Sequence, residues 1–241
     1  IVQMPITELY KINAPIFVNE TGQIVSDKNK SDLLEKIIAL DYLPGERLSE
    51  NELCDKYGTT RHAVRGALAV LKEKGLVDVV PQRGTYVSLI NLEMIDDILF
   101  LRSAVEQETL HAIFKKHDNS ELLTQLKECL AKQKIALQHG DKYTDKFYEI
   151  DDSFHSILLE AIGKASVQNL YYDAYLHVRR WRNMEVSTQK RKGILAQEHQ
   201  KIVDAIESGD EDAARKCMDH HINSVQNYGD EIRTKYPQYF I

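Results

Sequence analysis

The sequence predicts a mainly α-helical protein: a small helix-turn-helix domain with a β-hairpin, then an all-α bundle of six antiparallel helices. The first part rests on two short amphipathic helices, separated by a glycine and followed by a β-rich hairpin, between residues 47 and 87. The second rests on apolar residues that recur every three or four positions from residue 92 onward, interrupted only by short capping and turn sequences. We therefore expect two domains, at 29–88 and 92–236, preceded by an extension at 1–28.

The first helix of the helix-turn-helix runs from about Ser49 to Tyr57. Ser49 is a good N-cap, and Glu52 follows at the spacing of a capping box. Gly58 suits a helix end that requires a positive φ. These signals predict a helix followed by a sharp turn.

The second helix is capped by Thr60 and presents an apolar face for packing, made of Val64, Leu68 and Leu71. Its opposite face carries cationic residues in the first turn and a half. The β-rich segments 77–80 and 85–88 follow, joined by a Pro-Gln-Arg-Gly turn with a basic tip. A cationic helix N-terminus with a basic wing suits a DNA major groove and its flanking phosphates. The candidate DNA-binding residues are Thr60, Arg61, His62, Arg65, Arg83 and Gly84.

Residues 30–88 resemble the winged helix-turn-helix of the GntR family of bacterial transcription regulators. The resemblance is carried by PGERL at 44–48, GTTR at 58–61, VRGAL at 64–68, GLV at 75–77 and RGT at 83–85. Two positions depart from the family pattern: Asn51 lies where Arg is frequent, and Gly66 lies where Glu is usual. The resemblance implies a DNA-binding regulator in which a contact made at position 51 in relatives is changed.

The charge of the chain is not that of a generally basic DNA binder. The formal net charge is −6, and residues 30–88 contain nine Lys or Arg and nine Asp or Glu. DNA affinity must therefore come from local placement of cations rather than from bulk charge. The three scattered cysteines (54, 129 and 217) suggest neither a metal site nor a disulfide framework, and we see no membrane-spanning run. We expect a cytoplasmic protein with no membrane partner.

The bundle is predicted to contain six helices with short connections. Breaks are expected at Asp118-Asn119, Gly140-Asp141, Gly163-Lys164 and Gly209-Asp210, and a polar loop is expected at 187–193. The predicted helices cover about 92–116, 119–138, 142–163, 165–186, 192–208 and 210–233. Such a bundle can hold a ligand between its helices.

The bundle also contains a candidate set of metal ligands. Asp151 and His155 are four residues apart and share one face of a helix, while His199 and the pair at 220–221 lie on two later helices. One carboxylate and three imidazoles can bind Zn²⁺, Ni²⁺, Mn²⁺ or Fe²⁺ and leave positions open for water or an anion. Spacing alone leaves open a hydrogen-bonded surface pair and structural histidines.

Residues 92–233 resemble the FCD effector domain of the FadR branch of GntR regulators, through Arg102, Glu106, DDSFH at 151–155, Glu198-His199, and the segment from Gly209-Asp210 to His221. The resemblance implies that Asp151, His155, His199 and His221 are the metal ligands. It also implies that Arg102 points into an effector pocket and holds a carboxylate, although an ion pair with Glu106 is an alternative. Arg179, Arg180 and Arg182 are further candidates for this pocket.

These observations together predict a cytoplasmic repressor that binds a short inverted repeat in double-stranded DNA as a homodimer. A small organic-acid effector at the metal would alter DNA affinity, and no catalytic residues are expected. Three alternatives remain open: a metalloenzyme that uses the His₃Asp site, a metal-free effector domain for an acyl-type ligand, and a pure metal sensor.

Overall fold

The computed structural model describes residues 27–138, 144–185, 189–226 and 229–241. The chain divides into two compact units. One consists of residues up to Ile37 together with Glu46–Ser88, and the other of Ile38–Gly45 and Leu89–Ile241. The expected extension at 1–28 lies outside the described residues except for its last two, which begin the first helix.

The N-terminal part of the chain forms a helix-turn-helix and a small sheet. Its elements, in chain order, are α1 (Asp27–Ile38), β1 (Arg47–Leu48), α2 (Glu50–Tyr57), α3 (Arg61–Glu73), β2 (Val77–Val80) and β3 (Gly84–Val87). The prediction of a two-stranded ribbon is wrong in one respect. The sheet has three strands, because β1 pairs antiparallel with β3. The amide of Val87 donates to the carbonyl oxygen of Glu46 at 2.8 Å, which holds this strand in place.

The caps of α2 and α3 explain the sharp turn between them. The hydroxyl of Ser49 accepts from the amide of Glu52 at 3.4 Å, and that of Thr60 accepts from the amide of Ala63 at 3.3 Å. Gly58 ends α2 in the left-handed region, with φ 57°, where a side chain would be strained. The apolar face of α3 is buried, as predicted: Val64, Leu68 and Leu71.

The second unit is a bundle of long helices. They are α4 (Leu92–Phe114), α5 (Ser120–Gln138), α6 (Thr144–Ala161), α7 (Val167–Glu185), α8 (Gln189–Ser208), α9 (Glu211–Asn223) and α10 (Gly229–Lys235), with short 3₁₀ turns at Ser224–Gln226 and Pro237–Tyr239. Helix α4 packs against α6, α7 and α9, while α8 packs against α5 and α9. No helix among the described residues is long and apolar enough to cross a membrane.

Three of the expected breaks in the bundle fall where the structure shows a cap or turn. The side-chain amide of Asn119 donates to the carbonyl oxygen of Ile113. Gly163 and Gly209 adopt positive φ. Asp210 caps α9 by accepting from the amide of Ala213. The break at 140–141 lies outside the described residues. Glycine and Asx signals therefore mark helix ends well in this chain.

Two expectations for the C-terminal helices are wrong. The helix expected at 210–233 ends at Asn223, because the hydroxyl of Ser224 donates to the carbonyl oxygen of His221 at 2.8 Å and the chain continues as a 3₁₀ turn. The polar loop expected at 187–193 is helical from Gln189 onward. Buried Arg191 donates to the hydroxyl of Ser224 at 2.8 Å, so tertiary contacts override the weak helix propensity of Gly193.

Candidate functional site

The first candidate surface is the exposed start of α3 with the adjacent wing. Arg61, His62 and Arg65 are exposed, and Arg83 is exposed at the turn between β2 and β3. Each lies at a position that the sequence assigned to DNA contact. Contacts of these side chains with bases and phosphates are predictions.

Arg65 is held by an acidic residue on the neighbouring helix. Its Nε donates to both carboxylate oxygens of Glu50 at 3.0 Å. Because Nε is engaged, the two terminal nitrogens can donate elsewhere, and a guanidinium that offers a pair of donors is suited to guanine or phosphate.

The wing contains a glycine that the backbone requires. Gly84 has φ 126°, and a Cβ at this position would lie 3.1 Å from Nε of Arg47. The guanidinium of Arg47 therefore lies against the wing at Gly84. This cation could not be predicted as a candidate for phosphate contact, because its proximity to the wing depends on the pairing of β1 with β3.

The second candidate site is a buried cluster in the bundle. Asp151 and His155 on α6, His199 on α8 and His221 on α9 are all buried. One potential ligand atom from each lies within 4.8 Å of the others. Nε2 of His221 lies 3.2 Å from Nε2 of His155 and 3.0 Å from Nε2 of His199. His220, the neighbour in sequence, lies outside the cluster with an exposed side chain.

Each imidazole of the cluster has an acceptor for its other ring nitrogen. Nδ1 of His155 faces Glu106 Oε2 on α4, and Nδ1 of His221 lies 2.9 Å from Glu198 Oε2. Nδ1 of His199 lies 2.9 Å from Nε2 and 3.1 Å from Oε1 of Gln133 on α5. We assign the Nδ1–H tautomer to His155 and His221 on their carboxylate partners, and to His199 with the amide oxygen of Gln133 as its acceptor. This assignment directs three Nε2 lone pairs toward one point.

Burial keeps these imidazoles neutral. It lowers the pKa of His199 and of His221 to about 3, and it lowers the pKa of His155 well below the ordinary value, with the Arg102 guanidinium adding to the effect. Burial alone would raise the pKa of Asp151, but the Arg182 guanidinium and the three adjacent imidazoles together lower this pKa and keep the carboxyl ionised. Neutral imidazole and carboxylate are the protonation states that bind metal.

The arrangement fits a divalent metal ion. Three converging lone pairs repel one another unless a cation lies between them, and Oδ1 of Asp151 is buried with no hydrogen-bond partner in the described part of the chain. A zinc-like ion with bonds of about 2.0–2.1 Å separates two nitrogens by about 2.9 Å at a right angle and about 3.4 Å in a tetrahedron. The observed 3.0 and 3.2 Å fall within this span.

A cavity of about 10 Å³ adjoins His221, with room for one water molecule. Arg102 and Arg182 line it together with Val178 on α7. Oδ2 of Asp151 accepts from Nη2 of Arg182 at 2.8 Å, so this arginine reaches the candidate ligand set directly.

Arg102 takes part in two interactions at once. Its Nε donates to Glu106 at 2.7 Å, which is the ion pair considered from the sequence, and its Nη1 donates to the hydroxyl of Tyr175 at 2.6 Å. The same hydroxyl accepts from Nη1 of Arg182 at 3.0 Å. One phenol oxygen therefore lies where two guanidinium groups converge.

Comparison with known proteins assigns a family to each of the two parts of the chain. Residues 27–87 match the family described as bacterial regulatory proteins, gntR family, and residues 97–224 match the FCD domain. An HTH-type transcriptional regulator in an unstable DNA locus of Streptomyces ambofaciens is 31% identical over 208 residues, covering 86% of each chain.

The chain belongs to the GntR family and carries an FCD domain.

Other members support the same assignment. The HTH-type transcriptional repressor RspR of Escherichia coli K12 is 28% identical over 211 residues, covering 88% of this chain and 90% of that protein. The crystal structure of a transcriptional regulator GntR from Rhodococcus sp. RHA1 has the same fold, with a TM-score of 0.66 and 21% identity over 88% of this chain and all of that one. This GntR protein is thus a DNA-binding transcription regulator and not an enzyme, and its buried His/Asp cluster is compatible with metal binding.

Four residues of this GntR regulator's bundle site were not identified from sequence. Arg182 could not be chosen over its neighbours, because α7 is polar on more than one face. Tyr175 was not among the candidate residues. Glu198 and Gln133 lie beside the histidines of the cluster only because three helices meet, although the position of Glu198 immediately before His199 was a weak signal.

Proposed function

We propose that this regulator is a cytoplasmic repressor whose DNA affinity is controlled by a small organic acid bound beside a divalent metal ion. The observation that carries the proposal is the buried cluster of Asp151, His155, His199 and His221, with two guanidinium groups beside it. The proposed role as a repressor is supported by the similarity to RspR, an HTH-type transcriptional repressor that matches this chain over most of both lengths.

The four candidate ligands would hold the ion, and Glu106, Glu198 and Gln133 would orient the imidazoles toward it. Such acceptors are a regular part of histidine metal sites, where they fix the tautomer. The bound ion would supply a Lewis-acidic position for an oxygen of the effector.

Arg102 and Arg182 supply the second half of the effector site. Both are buried, and both direct an Nη1 donor at the hydroxyl of Tyr175. A carboxylate can accept from two guanidinium groups more strongly than a neutral phenol oxygen does. A small acid would therefore be held by the ion at one end and by these arginines at the other.

The DNA-binding half of the proposal assigns base and phosphate contacts to Thr60, Arg61, His62, Arg65, Arg83 and Gly84. One winged helix reads only a few base pairs, so a homodimer on a short inverted repeat would double the contact set.

The experiment selects DNA from a random pool with purified protein and measures the affinity of the selected duplex by fluorescence anisotropy. Chelator-treated and zinc-loaded proteins are then titrated in the presence of a panel of small organic acids. We expect at least one acid to weaken DNA binding of the zinc-loaded protein only, and Arg102→Gln to abolish that response. A change produced by zinc alone would identify a metal sensor instead, and a response that persists without zinc would refute the metal-dependent site.

A further inference from the structure

The cavity beside His221 is too small to admit an organic acid without movement. Its volume of about 10 Å³ suffices for one water molecule. Two of the side chains that line it, Val178 and Arg182, belong to α7. A carboxylic acid with several heavy atoms that enters this cavity would therefore displace α7 or the helices that face it.

Helix α7 is also attached to the site by polar contacts. Tyr175 and Arg182 lie two turns apart on α7. The hydroxyl of Tyr175 accepts from Arg102 on α4, and Arg182 donates to Asp151 on α6. A ligand carboxylate that accepts from Arg102 and Arg182 would replace the hydroxyl of Tyr175 as their acceptor. Binding would then replace the direct hydrogen bond between Tyr175 on α7 and Arg102 on α4 by a bridge through the ligand.

The residues that immediately precede Arg182 contact a different part of the chain. Arg180 and Trp181 are each 1% exposed. Nη2 of Arg180 donates to the carbonyl oxygen of Leu89 at 3.1 Å, and Nε1 of Trp181 donates to that of Val225 at 3.3 Å. The ring of Trp181 also meets Phe240 edge-on, with centroids 5.9 Å apart.

The segment Pro237–Ile241 completes this arrangement by pairing with residue 90. The amide of Ile90 donates to the carbonyl oxygen of Tyr239 at 2.8 Å, and the amide of Ile241 donates to that of Ile90 at 3.1 Å. The pairing is a parallel β-bridge between Ile90 and Phe240, both of which are buried. Ile90 lies two residues after Ser88, where the unit that contains the wing ends.

We propose that α7, the segment Pro237–Ile241 and residues 89–90 act together as a latch, which we call the α7 latch. The latch is closed while Tyr175 holds both arginines. Admission of a ligand displaces α7. The hydrogen bond from Arg180 to Leu89 and the contact of Trp181 with Phe240 then weaken. The chain that leads to the DNA-binding unit thereby gains freedom. The inference rests on the proposed effector site, and it assigns the regulation of that site to one helix.

The first test removes a hydrogen-bonding group of the latch near the proposed ligand site and measures amide exchange at its opposite end, where the chain pairs with residue 90. Tyr175→Phe removes the hydroxyl that both arginines use, and Tyr172→Phe is the matched control on the same helix, with an exposed ring. Hydrogen exchange is measured at the amides of Ile90 and Ile241 in the full chain. We expect exchange to be faster by about five-fold or more in Tyr175→Phe, and to be near wild-type in Tyr172→Phe.

A second variant tests the same coupling in reverse. Phe240→Ala removes the ring that meets Trp181, and reciprocity requires faster exchange at the amides of Val178 and Arg182. Trp181 is the single tryptophan of the sequence, so its emission should shift to longer wavelength in both Tyr175→Phe and Phe240→Ala. Unchanged exchange at Ile90 in the first variant, or at Val178 in the second, would overturn the latch.

The outcomes for the latch and for the effector site can be separated. Zinc binding is measured on the same proteins by titration calorimetry. Coupled exchange in a protein that binds no zinc would leave the latch standing and refute the proposed metal site. Normal zinc binding with no exchange response at Ile90 would refute the latch and leave the site standing.

Discussion

At the residue scale, the central feature is the convergence of three Nε2 lone pairs and one carboxylate oxygen. The convergence is produced by the acceptors behind each ring, which decide which nitrogen carries the proton. The pairing of Asp151 with His155 could be predicted, because residues four apart share a helix face. The roles of Glu106 and Gln133 could not, because each depends on contact between helices distant in sequence.

The depressed histidine pKa values predict that metal-free protein loses stability in mild acid. An unfolded histidine has a pKa of about 6.5, whereas burial lowers the pKa of His199 and His221 to about 3 in the folded protein. The unfolded chain binds more protons between these values, so stability is complete above about pH 6.5 and falls as pH decreases toward 3. Between these two pKa values, each histidine should lower the free energy of unfolding by about 1.4 kcal/mol for each unit by which the pH falls.

Urea unfolding in chelator at pH 7.5 and 5.5 measures this loss of stability. His199→Gln should reduce the difference between the two pH values by about 1 kcal/mol, and the exposed His220→Gln should leave it unchanged. Equal pH dependence in both variants would mean that His199 already carries a proton in the folded protein.

A second prediction concerns the acceptor behind His155. Glu106→Gln keeps the size of the side chain but removes the charge that orients Nδ1 of His155. Zinc affinity should fall by about 10- to 100-fold, the usual effect of losing such a partner. Competition with a chelating dye measures the affinity, and Glu108→Gln, on the exposed face of the same helix, is the control. Equal affinities would show that Glu106 does not support the site.

At the element scale, the helix ends made by local capping could be predicted from sequence, whereas the features that depend on tertiary contacts could not. Ser49, Gly58 and Thr60 marked α2 and α3 because capping is a local interaction. Strand β1 was not predicted, because Arg47 and Leu48 form a strand only by pairing with β3. The early end of α9 likewise depends on Ser224, whose hydroxyl competes with the helix for a backbone carbonyl.

Helix α3 should be the element that reads DNA. Arg61→Ala and Arg65→Ala should each weaken binding to the selected duplex by about 1–3 kcal/mol while far-ultraviolet circular dichroism stays unchanged. Lys36→Ala is a matched loss of positive charge on α1, where Lys36 pairs with Asp32 at 2.8 Å, and it should have little effect. Unchanged affinity in both arginine variants would show that another element reads the DNA.

At the scale of the whole molecule, the fold class could be predicted because helical periodicity extends over most of the chain. The negative charge of the whole chain, −6, says little about the DNA-binding surface. What matters is that exposed cations gather at the start of α3 and at the wing.

DNA affinity should therefore depend steeply on salt despite the acidic chain. Each phosphate contact made by residues such as Arg61 and Arg83 should contribute about −0.9 to the slope of log K against log salt concentration. Anisotropy titrations between low and moderate salt measure the slope. Arg83→Ala should make it shallower, whereas a flat dependence in the wild type would rule out phosphate contacts by these side chains.

The most direct test of the account is the metal content of the protein after loading with zinc and removal of free ion by gel filtration. We expect about one zinc ion per chain in the wild type and in the control His220→Gln. The double variant His155→Ala/His199→Ala should retain almost none, because two of the four ligands are gone. No zinc in the wild type, or full occupancy in the double variant, would contradict the assignment of Asp151, His155, His199 and His221 as a metal site.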